Sequence, residues 1–221
     1  MLNTLKILFL VFLFFSCSLP NTFDSRHSGD LGARKIRRIA VFPLDPVSQA
    51  EKDKIAYSAA PRPEEKPLQE GAPVVVQNHL YFTMSSLPHW QIISEREVRE
   101  IISAVPPGPE GNRAKRLGEL VYADAVIFTR LIRYRERVGE EWGAKSPASV
   151  AFVLDLWDVR RGDLIWSGRF DETQKSLSEN IFAIGDYFQR GVKWLTAEQL
   201  ALEGIKKAVN NLQQTLYRGA S

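Results

Sequence analysis

Ala123–Tyr134 (ADAVIFTRLIRY) begins as a continuous apolar run, and two β-rich segments follow it, Val150–Val159 (VAFVLDLWDV) and Leu164–Phe170 (LIWSGRF). An unbroken apolar run is the pattern of a central strand buried on both faces. The second and third segments bracket Arg160-Arg161-Gly162-Asp163, where Gly162 supplies the positive φ that a tight turn needs, so they predict a hairpin. Residues 135–147 between the first and second are highly charged and carry Gly139, Gly143 and Pro147, which reads as a loop. Three strands so closely spaced argue an antiparallel meander.

Upstream, strands are separated by helices. Ile36–Leu44 (IRRIAVFPL), stopped by Pro43 and Asp45-Pro46, is a first strand. Pro73–Leu87 sets Val74, Gln77, Leu80, Tyr81 and Met84 at helical spacing, with Pro73 suited to a first turn. Trp90–Ile93 is a short strand. Ser94 and Glu97 then form an S-x-x-E capping box opening a helix with Val98, Ile101, Ile102 and Val105 on one face, closed by Pro106-Pro107. Asn112–Tyr122 is a further short helix through Leu117, Leu120 and Val121. Downstream, Ser176–Phe188 predicts a helix, and Thr196 and Gln199 cap a final one running through Leu200, Ala208 and Leu212 toward Tyr217. The β-α-β-α-α-β-β-β-α order predicts an α/β fold whose mixed sheet of about five strands is flanked by helices.

Residues 1–16 read as a signal peptide. Lys6 precedes an apolar run, Ile7–Phe15, about half the roughly 20 residues that a membrane-spanning helix needs. Ser16-Cys17 at its end resembles the lipobox of bacterial lipoproteins, in which the cysteine is diacylated and becomes the new N-terminus. Phe14-Phe15 depart from the Leu and small residue usual there. Cys17 is the only cysteine of 221 residues, and a lone exported thiol would otherwise be a reactive liability. Each buried methylene contributes about 0.8 kcal/mol, so two or three acyl chains anchor durably where one does not. Ser18, where an Asp would favour inner-membrane retention, implies by the same resemblance transfer to the outer membrane. Residues 17–35 are then a lipidated cysteine with a flexible tether, since Ser18–Lys35 is polar and lacks an apolar period. Residues 36–221 are a single α/β periplasmic domain carrying an exposed insertion at 46–71, which holds four prolines.

In the order they occur, Ile39-Ala-Val-Phe-Pro43, Ile93-Ser-Glu-Arg96, Ala123-Asp-Ala-Val-Ile127 and the hairpin Val153–Trp166 resemble the curli-secretion-lipoprotein-like group of bacterial lipoproteins, which includes Pel-type and penicillin-binding-protein-activator-type members. The resemblance covers about Ile36–Gln174 and the final helix, and departs at Tyr122, where the group often has Gly. It implies an anticodon-binding-domain-like fold and a non-enzymatic outer-membrane lipoprotein. Such a protein is a periplasmic assembly or export accessory subunit, expected to be oligomeric. Neither Pro46–Gly71 nor Arg135–Pro147 has the alternation of about ten residues per strand that membrane-barrel hairpins need, so it is not itself expected to form a pore. The alternative it leaves open is a tethered protein-binding regulator of a cell-wall synthase.

No catalytic residue or cofactor is nominated. His27, His79 and His89 are widely spaced, without a second cysteine, so no zinc set of usual spacing exists, and no G-x-S-x-G, Walker or dinucleotide glycine pattern occurs. His79 reads as a structural residue. Asp155 and Asp158, three apart in a strand, project to opposite faces and do not pair. Arg130, Arg133, Arg135 and Arg137 are interleaved with Glu136, Glu140 and Glu141, which reads as a solvated, self-compensating surface. The formal net charge of +3, of which Lys6 is removed with the leader, argues against a nucleic-acid partner. Partners are expected to be the membrane, through the lipid, and an envelope protein or further copies of the chain. Phe182, Tyr187, Phe188 and Trp194 are the candidate partner face, since aromatic side chains are enriched at interface centres.

Overall fold

Ile39 and Val41 lie in one apolar cluster and Ala40 and Phe42 in another, so the first predicted strand is buried on both faces. The computed structural model describes residues 22–44, 68–140, 143–174 and 194–217. In chain order its elements are β1 (Phe23–His27), β2 (Arg38–Val41), α1 (Ala72–Ser85), β3 (Gln91–Ile92), α2 (Glu95–Ile101), α3 (Glu110–Val121), β4 (Ala125–Arg135), β5 (Val138–Glu140), β6 (Gly143–Ser146), β7 (Ser149–Asp158), β8 (Leu164–Thr173) and α4 (Ala197–Tyr217).

The main sheet has six strands in the order β1-β8-β7-β4-β2-β3. β2 runs parallel to β3 and β4, while β4, β7, β8 and β1 follow antiparallel, giving the mixed sheet with flanking helices that the element order predicts. Helices α1 and α4 pack on each other over the face carrying Ile39, Ile127, Leu131, Phe152, Leu154 and Phe170. Helices α2 and α3 cover the other face at β2 and β4, through Val98, Ala114 and Leu117 against Ala40, Val126 and Phe128.

The capping signals are realised. Ser94 Oγ accepts from the Glu97 amide at 3.3 Å, and at α4 the exchange is reciprocal: Gln199 N donates to Thr196 Oγ1 at 3.1 Å and Thr196 N to Gln199 Oε1 at 3.0 Å. In the β7–β8 turn, Gly162 has φ +70° and its amide donates to the Asp158 carbonyl at 2.8 Å.

Two segments differ from the sequence reading. The stretch expected to be a tether, 17–35, contains β1, which pairs antiparallel with β8 from Phe23 opposite Phe170 to His27 opposite Trp166. One apolar side chain suffices because Phe23 packs on the core beside Gly168, a position with no side chain of its own. Leu31 is then fully buried in the following 3-10 turn. The charged stretch expected to be a loop, 135–147, forms the small β5–β6 hairpin, with Gly139 in the left-handed region at φ +112°. The first difference makes the sheet six strands rather than about five. The helix expected over Ser176–Phe188 and most of the insertion expected at 46–71 lie outside the described residues.

Candidate functional site

Arg34, Arg130 and Arg133 are each held by carboxylates distant in sequence. β4 carries a bulge at Ile132: Leu131 pairs with Phe152 and Arg133 with Ala151, one residue short of strict alternation. Arg130 and Arg133 therefore share a face although they are three apart. Arg130 Nη1 donates to Glu110 Oε1 at 3.0 Å, and its Nη2 is paired with the buried Asp155 carboxylate. Arg133 donates to Ser149 Oγ at 2.6 Å and is paired with Asp171, which Arg169 also reaches at 3.1 Å. Burial pushes the Asp171 carboxyl up, but the hydrogen bonds and charge of Arg133 and Arg169 outweigh it and hold the group below the usual carboxylate range. Arg137 donates to the Trp194 carbonyl at 2.9 Å, and Glu136 accepts from the Ala197 amide, capping α4. The self-compensating surface expected from local glutamates is thus a set of long-range ties. Neighbouring carboxylates are not what neutralise Arg130 and Arg133.

Asp155 and Asp158 serve different arginines, as their expected opposite orientation requires. Asp158 faces Arg34, whose Nη1 donates to it at 2.8 Å and whose guanidinium also meets Asp163 and Asp30 at 2.9 Å. Hydrogen bonding to Asp163, then Asp158 and Asp30, raises the Arg34 pKa against its burial, so the guanidinium stays charged. His79 Nε2 lies 3.2 Å from Glu198 Oε1, linking α1 to α4 in the structural role expected for it. Among the described residues no three His, Cys, Asp or Glu side chains gather where a metal ion could sit, and no helix is long and apolar enough to cross a membrane.

Apolar groups, by contrast, are left in water. In α1, Ala72, Val76, Leu80 and Met84 follow one another at i, i+4 spacing and are fully buried. On the opposite side Val74 is 60% and Phe82 71% exposed, eight residues apart and so on one stripe with Asn78. Val74, read from sequence as part of the helix's packed set, belongs to the outer side. The signal was present, because Val74-Val75-Val76 cannot all point inward from one helix. Tyr122 is a second outlier: it ends α3 in the left-handed region at φ 55°, and the residue is 82% exposed. Arg38 donates to the Tyr122 carbonyl at 2.8 Å and to that of Val121 at 3.2 Å, satisfying acceptors at the helix end.

Of the candidate residues, Trp194 is described, half-buried just ahead of α4. Cys17, Phe182, Tyr187 and Phe188 lie outside the described residues.

No protein-family model matches the chain, and no curated protein matches it. Solved structures to which it is similar include a PelC dodecamer from Paraburkholderia phytofirmans, at 13% identity over 86% of this chain and 97% of that one, with a TM-score of 0.46. Lipoprotein GNA1162 from Neisseria meningitidis is 14% identical over 70% of this chain and 98% of that one, at a TM-score of 0.36. The LpoB C-terminal domain from Salmonella enterica is 14% identical over 62% and 83%, at a TM-score of 0.35.

Proposed function

We propose that this chain is a non-enzymatic bacterial lipoprotein, anchored through Cys17 on the periplasmic side of the outer membrane. In this reading it serves as an accessory subunit of an assembly or export machine and docks there onto protein partners or further copies of itself. The observation that carries the docking is the stripe of Val74 and Phe82, large apolar side chains standing in solvent on a helix whose other side is fully packed. Arg34, Arg130 and Arg133 are spent in ion pairs that tie elements of this domain together. The leader, Cys17 and the order of the resembling motifs supply the envelope setting. Phe182, Tyr187, Phe188 and Trp194 belong to the proposal as further aromatic contacts for a partner.

The test is a Val74→Glu, Phe82→Glu double substitution in the full chain, crosslinked in cells. Both positions are exposed, so the fold should be retained by circular dichroism while crosslinked partners or oligomers are lost. Undiminished crosslinking would remove the α1 face from the reading. Turnover of an envelope polymer by the purified protein would overturn the non-enzymatic assignment.

A further inference from the structure

The strand β1 changes how far this domain stands from whatever holds Cys17. Had residues 18–35 been a free tether, the domain could stand off by about 60 Å at the roughly 3.3 to 3.6 Å per residue of an extended chain. Instead the Thr22 carbonyl already accepts from the Asp171 amide at 3.0 Å, and Phe23 is in register with Phe170. Five Cα steps separate Cys17 from Thr22, a reach of at most about 18 Å.

We infer that the headgroup surface of the membrane carrying the Cys17 lipid is the surface against which the sheet corner formed by the start of β1, the end of β8 and the middle of α4 is seated. The inference rests on the lipid attachment proposed above. The opposite edge of the sheet, β3, is five inter-strand spacings away, about 24 Å at 4.7 to 4.9 Å each, and α2 follows directly from it. The attachment corner is therefore confined to the membrane surface while the β3 edge swings free of it. The corner's charges are balanced: Lys207 Nζ lies 3.5 Å from Thr22 Oγ1 and 3.8 Å from Glu172 Oε2, Arg169 pairs with Asp171, and Asp24 stands opposite Arg169 in the β1–β8 register. A balanced corner has no electrostatic hold on anionic lipid, so the short covalent leash keeps it in place. The consequence for function is a partner at the same membrane surface, because a domain on this leash has no reach to a distant one.

The experiment places a nitroxide on Asp24→Cys or Arg96→Cys, both exposed, in full-chain protein reconstituted into phosphatidylethanolamine and phosphatidylglycerol vesicles carrying a headgroup nickel chelate. Lipidated Cys17 has no free thiol, so the added cysteine alone takes the label. Relaxation at position 24 should exceed that at 96 by at least about threefold, and inserting about twelve Gly/Ser residues after Asn21 should bring the ratio close to one. Equal relaxation of both labels in membrane-bound protein would overturn the seating while leaving the anchor intact. Labelling of Cys17 itself in unsubstituted protein would show a free thiol, and would overturn the anchor together with the seating.

Discussion

Arg34 and Asp158, 124 positions apart, meet at 2.8 Å with only 10% of each side chain exposed, and so tie the segment after β1 to the β7–β8 turn. Asp158 is doubly engaged, since its Oδ1 also accepts from the Arg161 amide at 2.9 Å. Removing the arginine leaves a largely buried carboxylate without its cation. Arg34→Met should therefore lower the unfolding free energy by about 3 kcal/mol, measured by urea denaturation. Asp158→Asn added to it should cost much less than it does alone. Strict additivity of the two would mean that the pair is not coupled.

The pH dependence follows from Asp158 and Asp171. Burial pushes the Asp158 carboxyl up, but the Arg161 backbone amide and Arg34 outweigh it and lower its pKa, as Arg133 does for Asp171. A carboxylate whose pKa is lower folded than unfolded contributes stability that is fully present above the unfolded value, about 3.9 for Asp, and is lost as pH falls through the folded value. The thermal midpoint should fall steeply below about pH 4, with a shallower fall in Asp171→Asn. An identical acid limb in that variant would contradict the assignment of Asp171.

Helix α4 approaches the sheet closely at Gly204, where an added Cβ would lie 2.6 Å from Phe170 Cδ1. Alanine is a better helix former by about 1 kcal/mol, but overpacking a buried ring costs about 1 to 3 kcal/mol. Gly204→Ala should consequently destabilise by up to about 2 kcal/mol in the same assay. Gly32→Ala, whose Cβ meets nothing nearer than 4.0 Å, is the control and should change stability by less than about 0.5 kcal/mol.

Tyr122 offers the opposite sign. A non-glycine residue in the left-handed region costs about 1 to 2 kcal/mol, and an exposed ring returns little burial. Tyr122→Gly should raise stability by about 1 kcal/mol, a thermal midpoint shift of roughly 2 to 4 °C. If the variant is stabilised yet loses crosslinked partners, the exposed ring is itself a contact.

Local signals carried much of the architecture. Ser94 and Thr196 opened their helices because a side-chain oxygen three residues before an amide is a short-range fact. Gly162 turned the β7–β8 hairpin for the same kind of reason. β1 escaped because an edge strand with one inward apolar side chain has no period to read, and Phe23 finds its place only beside Gly168 on another strand, whose missing side chain leaves room for the Trp166 and Phe23 rings. The β5–β6 hairpin escaped because Val138, Gly139, Glu140, Lys145 and Ser146 are exposed, so burial leaves no pattern there. The exposed stripe of α1 was half visible, since three consecutive valines imply surplus apolar surface without saying which one stays outside.

From sequence alone came the single cysteine at the end of an apolar run, the order of β2, α1, β3, α2, α3, β4, β7, β8 and α4, and the caps, since each depends on residues within a few positions of one another. Tertiary structure alone decided which charges meet. Arg130 and Arg133 share a face because of a bulge set by the pairing of β4 with β7, and Arg34 finds Asp158 only after 124 residues have folded back. It also decided that a strand begins at Phe23, because an edge strand exists only once β8 is there to pair with it.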